Sequence, residues 1–517
     1  MGVLQNLRIW ENRVTRINED GTTTTTIQPR QRPTMPWNAF AMLSAKSWMY
    51  FALACFAWGS DGYDFNTVNL VSTELATRYD TSVSKITLAV TLTLVFRGPG
   101  SALIGICADA FGRKWPLAID LVIICALQIA TAFAPTYATF ILVRTLFGVF
   151  MGGIWGLAAA TSLENMPVEA RGIMSGFLQQ SWSAGYLIAA GINLRTGRDG
   201  DTYRLIFYVG AGLTGATALA SALIPESHIY AQHATSASDP EKHTPAKGTT
   251  KASFSAFYSD AKLVARNHWK PALYCIALMT FANWMNHAAA DTYPNFLKIQ
   301  KGFSNYDASI IVIIIQFGSL TGGPFFGWLS QYIGRRLAIA IACTTALAFL
   351  PLWILPNSMG ALAAGGFFLQ FFTLGSWGVM PIFLQEYSPP QFRGFFPGTV
   401  YQVGNMFAAP AAQIMTVGAE RWIVNGKPEF GYTMWIAEVV ALVLMVAWIA
   451  CGEEKVGSRF EVIERAGGER GRETDGKDIG EGEGARGGGS SPSIDEGKVQ
   501  EGDVEKGLRG KRLDSDF

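Results

Sequence analysis

Apolar segments of about 20 residues, the length needed to cross a hydrocarbon core of about 30 Å, recur along this chain near 47–69, 86–107, 116–134, 138–161, 173–193 and 204–224, and again near 269–293, 307–330, 336–356, 359–384, 395–416 and 431–451. They form two groups of six. The polar stretch 225–268 between the groups contains Ser236, Ser238, Pro240, Lys242, Pro245, Lys247 and Lys251. It is too hydrophilic to span and reads as a cytosolic linker. The expected fold is therefore all-α: a polytopic membrane protein with twelve transmembrane helices in two pseudo-symmetric six-helix halves, 47–224 and 269–451. A cytosolic N-terminal segment (1–46) and a cytosolic tail (452–517) flank them.

Charge supports this partition. Charged residues make up 16% of the chain, against about 25% in ordinary globular proteins. Of the 81 charges, 29 lie in the tail from Gly452 onward, which leaves 52 in the first 451 residues. The Gly/Glu/Arg/Lys-rich tail has the composition of a disordered segment. A net charge of +1 excludes the basic field of a nucleic-acid binder. The six cysteines, Cys55, Cys107, Cys125, Cys275, Cys343 and Cys451, lie in or beside apolar runs with no CxxC or Cys/His spacing, so neither a disulfide framework, a metal site nor a cofactor is expected. The first 46 residues are polar and threonine-rich, so the first apolar helix is expected to serve as its own insertion signal. Basic residues follow spans two (Arg113, Lys114), four (Arg171), eight (Arg335, Arg336) and ten (Arg393), whereas the loops after spans three and nine carry none. The bias puts both termini and the linker in the cytosol.

The chain also repeats itself at a fixed offset of 222 residues. Gly105-x6-Gly112-Arg113-Lys114 is matched by Gly327-x6-Gly334-Arg335-Arg336, and Gly153-Ile154-Trp155-Gly156 by Gly375-Ser376-Trp377-Gly378. Glu164-x2-Pro167-x3-Arg171-Gly172 is matched by Glu386-x2-Pro389-x3-Arg393-Gly394, and Gly176 and Gln180 by Gly398 and Gln402. Agreement over four blocks means a duplicated unit, and an even number of spans keeps both copies in the same orientation. Gly105-x3-Asp109-x2-Gly112-Arg113-Lys114 resembles the loop motif of the major facilitator superfamily. The resemblance implies a latch: Asp109 accepts hydrogen bonds at a helix end while Arg113 stays at the cytosolic surface. Ala110 stands where that family usually has arginine, and Gln331 replaces the acid in the second copy.

A narrower resemblance lies in Trp58-Gly59-Ser60-Asp61-Gly62-Tyr63-Asp64-Phe65, in Lys114-Trp115-Pro116-Leu117 and in Phe396 through Asn405. These are similar to fungal proton-coupled carboxylate permeases of the sialate:proton symporter family. The seventh-span signature of those permeases, Asn-x2-Ser/Thr-His-x-Ser/Thr-Gln-Asp-x3-Thr, is met here by Asn283, His287 and Asp291. Asn286, Ala289, Ala290 and Asn295 depart from it, which leaves the usual substrate open.

Four of the five histidines fall in the polar linker, and only His287 lies in a span. Asn283, His287 and Asp291 are spaced i, i+4, i+8, about 6 Å per step along one helical face. An ionisable group at mid-bilayer costs about 2.5–3.5 kcal/mol on insertion scales and usually marks a transport path. A histidine coupled to an aspartate can take up a proton near neutral pH and then attract an anion. Arg97, in span two, offers a guanidinium that matches a carboxylate bidentately. It serves either as the substrate's anchor or as a structural partner of Asp61 or Asp64. Those two aspartates share a face and a candidate proton. Gln402 and Asn405 from the second half, and Gln179 and Gln180 from the first, would supply uncharged hydrogen bonds. Arg144, Asp120 and Glu438 are read as structural, as are Glu164 and Glu386 of the repeated loops.

The expected function is not enzymatic: it is secondary active transport, the symport of a small monocarboxylate such as lactate or pyruvate with a proton across the plasma membrane by a monomer. A dicarboxylate or other organic acid, taken up or exported, and a transporter-like nutrient sensor are the alternatives. No nucleotide-binding loop of the GxxxxGK[ST] form supports ATP-driven pumping.

Overall fold

The computed structural model describes residues 13–17, 23–27, 34–163, 166–196, 203–225, 269–388 and 395–454, with the side chains of 13–17, 23–27, 109–111, 168 and 196 excepted. Most of the expected linker and tail, 226–268 and 455–517, lies outside the described residues, as do Glu164 and Arg393 and the side chain of Asp109.

Twelve helical segments follow the twelve apolar runs. The first half comprises α1 (Ala45–Leu70), α2 (Val83–Phe111), α3 (Lys114–Phe133), α4 (Tyr137–Leu163), α5 (Val168–Thr196) and α6 (Arg204–Leu223). The second comprises α7 (Trp269–Ala290), α8 (Asn305–Ile333), α9 (Arg335–Ile354), α10 (Met359–Trp377), α11 (Phe395–Ala408) and α12 (Phe430–Cys451). Two short helices, Pro36–Ala41 and Ser72–Arg78, and short antiparallel strand pairs, Arg13–Ile17 with Thr23–Ile27 and Ile423–Val424 with Lys427–Pro428, add to these.

Local chemistry sets the helix ends. Ser44 and Ser304 cap α1 and α8 by accepting a backbone N–H three residues on, from Ser47 and Asp307, at 3.1 Å each. Gly112 and Gly334, repeat mates, end α2 and α8 at φ +87° and +94°, a region that side chains with a Cβ rarely enter. Three runs that are continuous in sequence are broken in space. α10 turns at Gly378 and Val379 and resumes as Met380–Tyr387. α11 stops before Pro410, which lacks the N–H a helix interior needs, and resumes as Ala411–Arg421. α7 ends at Ala290, turns at Asp291 and Thr292, and continues through Tyr293–Asn295 into a π-helical turn, Phe296–Gln300.

Eight of these helices are long and apolar enough to cross a membrane on those grounds alone. Most of the rest, α1, α5 and α7, are the helices that carry buried Asp61, Asp64, Gln180, Asn283 and His287. Outward faces present Phe56, Ile119, Val122, Leu142, Leu219, Phe407, Ile414 and Val440, as a bilayer requires.

Packing reproduces the repeat in three dimensions. α2 lies on α4 as α8 lies on α10, α1 on α5 as α7 on α11, and α3 on α6 as α9 on α12. The halves meet along two seams, α5 with α8 and α2 with α11, which are also mates. Along the first seam a Cβ on Gly176 would sit 2.4 Å from the Gly323 carbonyl oxygen, so only glycine lets the backbones approach. The second seam leaves a small cavity lined by Ser101, Gly105, Arg113, Gly156, Phe395 and Gly398.

Within the first half, α2 and α4 come together at Gly100, where a Cβ would lie 1.7 Å from the carbonyl oxygen of Val149. Gly100→Val is expected to lower the thermal unfolding temperature of the detergent-solubilised protein, at a cost of about 1–3 kcal/mol or more from overpacking. Gly212→Val, at a position with nothing within 4 Å of the added Cβ, leaves it unchanged.

Candidate functional site

Two polar clusters occupy an otherwise apolar interior. The first belongs to the first half. The Arg97 guanidinium on α2 donates through Nη2 to Asp61 Oδ2 on α1, and both side chains are fully buried. Two tryptophan rings frame it, Trp58 at 5.8 Å and Trp182 at 5.5 Å from the guanidinium carbon, a cation–π setting. Asp64 takes different partners: the Thr214 hydroxyl on α6 donates to its Oδ2 at 2.7 Å. Arg144 on α4 donates to Gln128 Oε1 on α3 at 3.2 Å, and its charge acts on both Asp61 and Asp64. Asp61 Oδ1, Asp64 Oδ1, Arg97 Nε, Arg144 Nε and Gln128 Nε2 have no hydrogen-bond partner among the described residues. Buried groups left in that condition are costly. They mark a place where a ligand, water or rearrangement would be stabilising.

The second cluster joins the halves. His287 Nδ1 meets Asp291 Oδ2 at 2.8 Å, and Nε2 meets Asn405 Oδ1 on α11 at 3.0 Å. Asn405 in turn donates to Gln402 Oε1 at 3.3 Å. Asn69, at the end of α1, donates to Asp291 Oδ1 at 3.2 Å. Asn69 and Asp291 are separated by 222 residues, so they are repeat mates and bond across the pseudo-twofold axis. The histidine is thus held on both ring nitrogens, and Gln402 Nε2 is left free to donate.

An aromatic group fills the space between the clusters. Tyr401 stacks on Trp155 with ring centroids 4.6 Å apart and meets Trp377 at 5.7 Å and Trp58 at 6.2 Å. Phe65 lies between Trp182 (5.4 Å) and His287 (5.9 Å).

The sequence-derived residues divide accordingly. Asp61, Asp64 and Arg97 assemble in the first cluster and His287, Asp291, Asn405 and Gln402 in the second. Asn283 bonds its own helix, donating to the Met279 carbonyl at 2.8 Å. Gln180 donates to the Leu374 carbonyl on α10 at 2.7 Å, across the α5–α8 seam's neighbour, and Gln179 accepts from the Trp155 indole at 3.0 Å. Of the two aspartates offered as partners of Arg97, the structure pairs it with Asp61 and not with Asp64. Sequence reasoning passed over Asn69, Thr214, Gln128 and Trp182. Asn69 had a usable signal, being the mate of Asp291 at the 222-residue offset.

Both ends of the interior are closed. At the end away from the Gly-Arg loops, Lys298 in the π turn donates to the Leu70 carbonyl (3.0 Å) and to Thr73 (2.8 Å) and lies 3.6 Å from Glu74. Ser72 donates to Asn295 at 2.9 Å. At the loop end, Ser175 donates to the Gly378 carbonyl at 2.9 Å and Gln331 to the Glu169 carbonyl at 2.9 Å.

The loop motifs show their pairing in the second copy. Arg335 grips Glu386 bidentately, Nη2 to Oε1 at 3.1 Å and Nε to Oε2 at 3.3 Å. Gly112 and Gly334 end α2 and α8, and a Cβ on Gly327 would lie 2.4 Å from the Gly172 carbonyl oxygen, whereas one on Gly105 would make only an ordinary contact with Phe395 at 3.5 Å. Arg171 donates to the Met166 carbonyl at 3.0 Å. Where Gln331 replaces the expected acid, Glu454, just past α12, accepts the backbone N–H groups of Arg335 and Arg336 at 3.1 Å each, capping α9.

The family described as Major Facilitator Superfamily matches residues 48–394, well over half of the chain. The chain belongs to the major facilitator superfamily. A "Carboxylic acid transporter protein homolog" of Saccharomyces cerevisiae is 30% identical over 423 residues, covering 79% of this chain and 68% of that one. The sialic acid transporter NanX of Escherichia coli is 24% identical over 389 residues, 75% and 89% of the two chains. Among solved structures, the partially occluded inward-open xylose transporter XylE from E. coli superposes with a TM-score of 0.61 at 17% identity, covering 80% of this chain and 100% of that one. That likeness extends to the superfamily fold and no further. A superfamily transporter, not an enzyme, thus carries the two polar clusters.

The Glu454 cap is expected to titrate. Burial pushes its carboxyl up to about 7 from an ordinary 4.5, against the pull of the two backbone N–H groups. A carboxyl that holds its proton more tightly in the folded state stabilises that state fully below its ordinary value, and the contribution is lost as pH rises through about 7. Between about pH 5 and pH 8, the unfolding temperature of the native protein is expected to fall by a few degrees relative to Glu454→Gln, whose side chain does not titrate.

Proposed function

We propose that the chain is a proton-coupled symporter of a small carboxylate, most simply a monocarboxylate such as lactate or pyruvate. It works by alternating access as the halves 47–224 and 269–451 rock about the interior. The observation that carries this reading is the placement of a buried arginine–aspartate pair in one half and a buried histidine–aspartate pair in the other, with hydrogen-bonding capacity left unused at Asp61 and Arg97 in the first and at Gln402 beside the second. A secondary transporter needs such groups at the midplane between its repeats. The 30% identical carboxylic acid transporter homolog agrees in substrate class.

In this mechanism a substrate carboxylate competes with Asp61 for the Arg97 guanidinium. Asp61, displaced, takes a proton, since a carboxylate without its cation is poorly tolerated in an apolar interior. Protonation of the His287–Asp291 pair adds positive charge on the opposite wall, where Asn405, Gln402 and Asn283 supply uncharged contacts, with Gln180 beyond them. The proton and the anion thus stabilise one another in the closed state, which is what couples their movement. Opening at either end breaks the Lys298 contacts or the seam at Ser175 and Gln331. The loop motifs, Asp109, Arg113, Glu164 and Arg171 with their mates Arg335, Glu386 and Arg393, act as the latches that reset it. The bias of basic loops assigns the Gly-Arg end, both termini, the 225–268 linker and the 452–517 tail to the cytosol. The protein acts as a monomer in the plasma membrane.

Uptake of labelled lactate, pyruvate, succinate and a bulkier acid by cells expressing the chain is expected to be faster at about pH 5.5 than at about pH 7.5, to acidify the cytosol and to collapse with a protonophore. Arg97→Ala lowers uptake about a hundredfold or more, as removal of one partner of a buried pair implies. His287→Ala abolishes its pH dependence. Uptake indifferent to both the protonophore and the Arg97 change refutes symport. A preference for succinate or the bulky acid moves the substrate class while leaving the mechanism.

A further inference from the structure

The buried charges of the first half do not balance. Asp61 and Asp64 on α1 and Asp120 on α3 face Arg97 on α2 and Arg144 on α4, and all five are at most 1% exposed. Two guanidiniums, which stay charged in proteins, offset two carboxylates and leave a third over. Arg97 is taken by Asp61, and the charge of Arg144 acts on Asp61 and Asp64. Asp120 has neither. Both of its oxygens are buried without any hydrogen-bond partner among the described residues, and the charge that reaches it is the like charge of Asp61.

No titratable side chain described on the helices packed against α3, Lys85 and Cys107 on α2, Tyr137 on α4, or Arg204 and Tyr208 on α6, bonds either Asp120 oxygen. The Tyr63 hydroxyl donates to the Ile206 carbonyl at 2.8 Å, and the Cys125 thiol to the Ala211 carbonyl at 3.2 Å. Arg204 opens α6 at the far end, and Lys114 opens α3 at the Gly-Arg end. Asp120 lies six residues into α3, about 9 Å along the helix from that end, whereas Asp61 and Asp64 lie deeper. The three carboxyls thus run from the far half of the bundle toward the loop face, Asp64, Asp61, then Asp120. Packing around Asp64 is close: a Cβ on Gly210 of α6 would lie 2.3 Å from Asp64 Oδ1 and 3.0 Å from Gln128 Nε2.

We propose that Asp120 is a proton-carrying station of the transporter, passing the coupled proton between Asp61 and the Gly-Arg face. The inference rests on the symport reading above and extends it. Asp120, unpaired, is stable in this interior as the neutral acid. When the loop end opens, that proton leaves to water. Through water admitted by that opening, the carboxylate formed on Asp120 then takes the proton that Asp61 acquired on losing Arg97 to the substrate. Asp61, again a carboxylate, re-forms its bond to Arg97, and the substrate is expelled. Along this branch one proton enters at Asp61 and one leaves from Asp120, with no other reactant required; the proton of the His287–Asp291 pair is not carried by it.

A control is built into the second half. Glu438 on α12 is likewise buried with both oxygens unpartnered and lies near Cys343 on α9, one residue from the repeat mate of Asp120. No charged group faces it among the described residues. It is a buried carboxyl outside any chain of acids.

The test uses the purified full chain in liposomes holding a pH-sensitive dye, with labelled lactate, pyruvate and succinate. Asp120→Asn is expected to lose proton-driven accumulation and the accompanying internal acidification at least about tenfold, while exchange of the same acid at equal pH on both sides stays within about twofold. Glu438→Gln alters neither. Asp120→Glu restores accumulation with a displaced pH midpoint, and it decides the matter if the asparagine variant loses exchange as well. Wild-type coupling in Asp120→Asn, or an unchanged midpoint in Asp120→Glu, overturns this proposal alone. Acid uptake by the native chain without acidification, or no uptake of any acid, overturns it together with the symport reading.

Discussion

A guanidinium that cannot shed its charge has been placed between two tryptophans in the middle of an apolar bundle, and much else follows from holding it there. Arg97 requires a counter-charge, and Asp61 supplies it from α1. That pair fixes α1 against α2, and α1 lies on α5, which forms one of the two seams between the halves. A buried ion pair contributes little net stability over an apolar filling, but losing either member is costly. In the proposed mechanism such a pair suits a transporter better than a hydrophobic contact would, because a substrate carboxylate can take the place of Asp61 at Arg97 while Asp61, which stays buried, takes a proton and keeps the buried charge unchanged.

The duplicated halves have been made chemically unequal at their centres. At the 222-residue offset, Asp61, Asp64, Arg97 and Arg144 correspond to Asn283, Asn286, Ser319 and Gly366. In the reverse direction, His287 and Asp291 correspond to Phe65 and Asn69. Each half therefore keeps an ionisable group where its mate is neutral, and no like charges face each other across the axis. The one direct contact between central mates, Asn69 with Asp291, joins a neutral amide to the acid. The frame conserves the duplication: paired packings α2–α4 and α8–α10, paired seams, paired glycine ends at 112 and 334. The polar interior does not.

This difference also sets what could be read from the sequence. Spans were legible because crossing a hydrocarbon core demands some 20 apolar residues in a row, a local property, and the helices found in α1, α4, α6 and α12 end within about three residues of those runs. The duplication was legible because the glycines and arginines at helix ends are dictated by backbone geometry. Arg97, His287 and Asp291 stood out because charge in a span is rare. Their partners did not, since Thr214 bonds Asp64 from 150 residues away and nothing local distinguishes it from other threonines in the spans. The breaks in α7 and α11 were hidden for a related reason. The spans expected at 269–293 and 395–416 include Asp291–Thr292 and Pro410 within otherwise apolar sequence, and only the backbone shows the interruption. Asp120 was read as structural because a carboxylate in a span is usually paired, and the missing partner is a three-dimensional fact.

The π turn at Phe296–Gln300 gives the far-end closure an unusual character. A π turn accommodates one residue more than an α turn, so the chain beyond Asp291 is wound one step out of phase with α7. Restoring α-helical winding there would swing Lys298 about a quarter-turn around the axis, or roughly 100°, and carry its ammonium away from Leu70, Thr73 and Glu74 together. These contacts are individually modest, yet they share a single mechanical condition. The strap is held by phase, so a change in winding rather than a contest of bond strengths decides whether that end is shut.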